Sequence, residues 1–152
     1  MQTNGIAMQS TQKLGGIGAI VAAGTFVVGL AMFATLLTDF VFAATPTAAV
    51  EFIADNQLAL YLWNITIHIV FGIVLVPLVL AISDRLSAAH SPLARMASVF
   101  GLIWAGVIVS TGMIVNITYA TVTNLHGTDP EMAATVFTSL AAVANGLGGG
   151  NE

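Results

Sequence analysis

The sequence has no cysteine and very little charge of either sign. Among its 152 residues there are three Lys or Arg and seven Asp or Glu. Without cysteine there is no disulfide framework, no thiolate metal site and no cysteine nucleophile. Charged residues make up 7% of the chain, against about a quarter in a soluble domain. A soluble fold of this length must cover its surface with polar groups, and so few charges cannot do it. No basic run exists that could follow a phosphate backbone, which excludes nucleic acid as a partner. No nucleophile–base pair, paired carboxylates or metal-ligand cluster can be assembled, so no catalytic residue, metal site or cofactor is assigned and the chain reads as non-enzymatic. The glycine-rich Leu14-Gly15-Gly16-Ile17-Gly18 is no nucleotide loop, because no strand precedes it and no Lys-Ser or Lys-Thr follows.

What is present is apolar. Hydrophobic residues make up 57% of the chain and the mean hydropathy is +0.95. Surface of that kind is stable against lipid. The pattern predicts an all-α transmembrane bundle with three spans, at about 14–43, 58–82 and 96–118. The first apolar run follows Lys13 and is longer than a signal-peptide core, so it reads as a retained span. Residues 1–13 read as a polar cytoplasmic tail, and 14–152 as one membrane domain, incomplete at its C-terminus.

Between the first two spans, Thr45-Pro46 is an N-cap followed by proline at the first helical position. It predicts a short interfacial helix over 46–55, with Glu51 and Asp55 among Val50, Phe52 and Ile53. Tyr61, Trp63 and Tyr119 sit where an interfacial aromatic belt belongs. Pro77 falls inside the second span and is expected to kink it. Asp129-Pro130 starts a last helix over 130–144, too short and polar at its start to assign as a span. Asn145-Gly146 ends it, and the glycines beyond form a flexible tail.

Lys13, Arg85 and Arg95 fall on one side of such a bundle, and Glu51, Asp55, Asp129 and Glu131 on the other. The positive-inside rule then places the N-terminus in the cytoplasm of a multi-pass inner (plasma) membrane protein.

Polar side chains within spans seldom face lipid. Asp39, Asn64, His68 and Asn116 all fall in the outer half and form the candidate intramembrane polar pocket. Tyr61, Asn64, His68 and Gly72 share one face of the second span. Ala97, Gly101, Ala105, Gly112 and Asn116 share one on the third, and Gly24, Val28, Ala31, Thr35 and Asp39 one on the first. Small residues allow close backbone approach, so these stripes are the expected helix contacts. His68 reads first as a packed histidine and second as a ligand or proton-relay group; Asn64 and Asn116 read first as interhelical hydrogen-bond partners. The matches of Asn64-Ile65-Thr66 and Asn116-Ile117-Thr118 to a glycosylation sequon are fortuitous inside spans, and His90 and His126 lie in loops.

Three stretches carry a resemblance: Gln12-Lys13-Leu14-Gly15-Gly16, Ser83-Asp84-Arg85-Leu86, and the tail Gly146-Leu147-Gly148-Gly149-Gly150-Asn151-Glu152. In their order the chain resembles a bacterial family of multi-spanning membrane proteins described as a domain of unknown function. The resemblance implies further spans beyond this chain and brings no activity with it. The leading expectation is a structural or accessory bundle associating with the lipid bilayer, with copies of itself or with other membrane helices. The alternatives are a permease-like protein with an outward-facing pocket at Asp39, Asn64, His68 and Asn116, and a membrane enzyme or haem binder centred on His68.

Overall fold

The computed structural model describes residues 2–87 and 91–148, with side chains from Ser10 onward except those of Val41 and Ser87. His90 and the tail residues from Gly149 to Glu152 lie outside the described residues. The described residues are helical throughout, with turns between and no strand. Helix α1 is Gln2–Thr35, α2 Thr38–Val41, α3 Pro46–Asp55 and α4 Gln57–Asn64. A π-helical segment, Ile65–Val70, joins α4 to α5, Phe71–Ser87; then come α6, Pro92–His126, and α7, Pro130–Gly148.

Three helical stretches are long and apolar enough to cross a membrane: Ser10–Thr35, Gln57–Leu86 and Pro92–His126. They run past the expected limits at most ends because little stops them. Residues 2–13 contain no proline, so the first span continues through the expected tail as helix. At its other end α1 stops at Thr35, eight residues short of residue 43. There the Leu36 and Leu37 amides both donate to the Met32 carbonyl, at 2.8 and 3.1 Å. The turn carries Leu37 from a lipid-facing helix into full burial. At 1.5 Å per residue α6 is about 52 Å long, well beyond the roughly 30 Å of a hydrocarbon core.

The overhanging end holds the chain's own apolar core. Leu37, Val50, Ile53, Leu60, Tyr119, Val122 and Ala133 form one buried cluster there. Helix α3 rests on α6 and α7 with Val50 and Ile53 inward, while Glu51 and Asp55 stay exposed. Both predicted caps form: Thr45 Oγ1 accepts from the Ala48 amide at 3.2 Å, and Asp129 Oδ1 from the Met132 amide at 3.0 Å.

The spans pack in sequence order, α1 on α5, α5 on α6 and α6 on α7. Glycines set the approach. A Cβ at Gly18 would come within 2.8 Å of the Val74 carbonyl oxygen, and one at Gly112 within 2.6 Å of His68 Cβ. The third-span stripe is in contact from Gly101 onward, with Gly101 on Val79, Ala105 buried and Asn116 on Asn64, while Ala97 is exposed. The first-span stripe is corrected. Gly24 faces open space, and the buried face is Gly15, Gly18, Ala22, Thr25 and Gly29, in steps of three and four. Both faces offer small residues, and the one that meets α5 wins by fitting around Pro77. The second span also holds an irregular turn that the sequence does not announce. Helix α5 continues through Pro77, while the backbone widens at Ile65–Val70.

An intramembrane cavity beside His68

The second span meets α6 through a polar bridge. From one nitrogen, Asn64 Nδ2 donates to the Gly112 carbonyl and to Asn116 Oδ1, each at 2.8 Å. Gly112 makes this possible, because a side chain there would strike His68 and Ile69. Asn64 is fully buried and its Oδ1 has no hydrogen-bond partner. One turn on, within the π segment, His68 stands against Gly112, its Nδ1 also buried. A π turn inside a membrane helix often marks a functional site, and this one carries the only ionisable group of its span's midsection.

Asn64, His68 and Asn116 therefore come together at Gly112, and of these three His68 alone lines the cavity described below. Asp39 does not join them. It is exposed on α2, where its neighbour Phe40 is the residue that turns inward.

His68 lines a cavity of about 610 Å³ between the second span, α6 and α7. Trp63, Thr111, Thr118, Tyr119 and Asn145 line it as well. The Thr111 and Thr118 hydroxyls donate to the carbonyls one turn back, Val107 at 2.9 Å and Ile114 at 2.8 Å. Its lining contains no Asp, Glu, Lys or Arg. Among the described residues no three His, Asp or Glu side chains gather as a metal site.

Aromatic rings roof the cavity at the α3 end. Phe40 packs on Phe52, Tyr119 and Phe137, with centroids 5.9, 6.4 and 6.4 Å apart, and Tyr61 packs on Tyr119 at 6.1 Å. Beyond Phe40 and Phe137 a second cleft, about 410 Å³, runs between α3 and α7 and shares Asn145 with the first. A third, about 380 Å³, lies on the flank of α1 among Phe26, Leu30, Phe33 and Ile67, and shares Trp63 with the His68 cavity. The Trp63 indole is held by its N–H, which donates to the Gly29 carbonyl at 3.2 Å.

Sequence reasoning had placed Trp63 and Tyr119 in an aromatic belt and Asn145 at a helix end, and had missed Thr111, Phe40 and Phe137 as pocket residues. Their roles depend on how α7 lies along α6, with Gly148 reaching Thr111 in the middle of the span. No single-helix periodicity carries that information.

Comparison with known proteins gives no match to a family model, a curated sequence or a solved structure, so function rests on this cavity and on three helices with the length and apolarity of membrane spans.

Proposed function

We propose that the chain is a multi-pass, non-enzymatic protein of the plasma (inner) membrane that holds a small uncharged molecule in the His68 cavity, in the manner of a permease. One observation carries this reading: a cavity of about 610 Å³ lined by His68, Thr111, Thr118 and Asn145. The volume falls in the range of about 300–1,000 Å³ typical of small-molecule sites. The lining has no charged partner for an ion, which favours a neutral ligand. The route would run from the α3 side, between Phe40 and Phe137.

The orientation has the support of the packing. Gly15 meets Ala81, Gln12 pairs with Arg85, and Gly101 meets Val79, so Lys13, Arg85 and Arg95 gather at one end of the bundle. In our reading that end is cytoplasmic and α3 lies outside.

The absence of native cysteine makes the test clean. In His68→Cys and Asn145→Cys variants, a water-soluble thiol reagent added from the α3 side should label both, and Phe137→Trp should slow labelling at position 68. Complete protection of both positions would sink the reading.

A second reading, helix association, is favoured by the lipid-exposed faces. Gly16, Gly24 and Gly106 each have open space around a Cβ position, leaving smooth surfaces against which another copy or another membrane helix can pack. Recovery of monomer alone after crosslinking in native membranes counts against it.

A further inference from the structure

We infer that α2 is the lid of the His68 cavity: the Phe40 ring stands against Phe137 between the cavity and the outer cleft, and α2 swings about Leu37 to move it aside. This rests on the reading of the cavity given above and adds the element that controls entry.

Phe40 and Phe137 line both spaces, the cavity of about 610 Å³ and the cleft of about 410 Å³ between α3 and α7. Their ring centroids are 6.4 Å apart with 68° between the planes, an edge-to-face contact. A molecule passing from the cleft to the cavity at this place has to part the two rings. Which ring moves follows from what each is mounted on. Phe137 sits near the middle of the 19-residue α7, which packs along α6 with Ala133 and Ala144 buried. Displacing it would disturb the whole helix.

Phe40 sits on four helical residues, Thr38–Val41, between two irregular turns. A single helical turn has little stability of its own, and no side chain caps its start. Among the described side chains from Leu36 to Phe42, Leu37 is fully buried in the core cluster and Phe40 is half-buried. Leu36, Thr38, Asp39 and Phe42 are exposed. The segment is thus pinned at Leu37, and pinned again where Thr45 caps α3. Its backbone packs on α3 and the end of α1, while the Phe40 ring reaches Phe52, Tyr119 and Phe137. Swinging Phe40 outward gives up those three ring contacts and leaves both pins in place.

The test uses the full chain in phosphatidylcholine nanodiscs, with single cysteines in a background that has none. The reagent is a small, membrane-impermeant methanethiosulfonate, and modification is followed by mass. Ala142→Cys, exposed in the cleft, should react fast, and Ala144→Cys, buried on the cavity wall, slowly. Phe40→Leu keeps the site apolar but loses the ring contacts, and should speed modification at position 144 about tenfold, the effect of one strong ring pair. Phe52 lines neither space but packs on Phe40 at 5.9 Å, so a moving ring predicts that Phe52→Leu speeds it about threefold. A rate at 144 unchanged by both substitutions would overturn the lid and leave the cavity reading standing. An effect of Phe40→Leu with none from Phe52→Leu would make Phe40 a fixed plug, and the swing of α2 falls. Ala133→Cys, buried outside both linings, should stay unreactive in every background. Its modification alongside position 144 would mean that the α3 end had loosened as a whole, which also overturns the lid. No reaction at 144 in any background, with 142 reactive, removes the shared premise.

Discussion

Asn64 and Asn116 are joined across two spans by a 2.8 Å hydrogen bond, and the same Asn64 nitrogen holds the Gly112 backbone. The pair fixes the rotation of the second span against α6, and with it the direction in which His68 faces. Side-chain hydrogen bonds between membrane helices average about 0.6 kcal/mol in double-mutant cycles, with a maximum near 1.7. An Asn64→Ala, Asn116→Ala cycle is expected to give a coupling in that range when unfolding is followed in mixed micelles. A coupling of zero would mean that the pair is incidental to assembly.

Gly15 and Gly24 should respond oppositely to enlargement. A Cβ at Gly15 overlaps Ala81, whereas one at Gly24 meets nothing. Gly15→Leu is expected to destabilise the bundle by about 1–3 kcal/mol, the usual cost of overpacking, and Gly24→Leu to be close to neutral. The same micelle unfolding assay reads both, and equal losses would contradict the assigned contact face of α1.

The helix caps lie at the α3 end, where water replaces lipid. Thr45→Ala and Asp129→Ala each remove one side-chain acceptor from a helix start and should cost about 1 kcal/mol. Hydrogen exchange at the Ala48 and Met132 amides should quicken accordingly. Unchanged protection there would show that the hydroxyl and carboxylate contribute nothing to those ends.

Orientation can be read with single cysteines. In intact spheroplasts Glu51→Cys should react with a membrane-impermeant maleimide, and Lys13→Cys only after permeabilisation. The reverse pattern would invert the topology.

Much of this fold was legible because lipid imposes long apolar runs and because Thr45-Pro46 and Asp129-Pro130 announce helix starts on their own. The third-span stripe was legible too, since Gly101, Gly112 and Asn116 stand out among larger side chains. The first span defeated the same reasoning. It has glycine and alanine on several faces, and its outward side is as apolar as its contact side, so periodicity cannot say which face meets α5. Asp39 was placed in the pocket by extending a straight helix to residue 43, and the turn after Thr35 removes that premise. The π turn at Ile65–Val70 left no mark in composition, since nothing in Ile-Thr-Ile-His-Ile-Val announces a widened backbone. The cavity was invisible for a different reason: it is a property of three helices at once.

The neighbour-to-neighbour packing of α1, α5, α6 and α7 has a consequence for how the chain is made. Each later span finds its main docking surface already made, so the spans can assemble by successive additions. Helix α3 is the exception: it docks on α6 and α7, so the core around Val50 and Ile53 closes only once both of those later helices are in place.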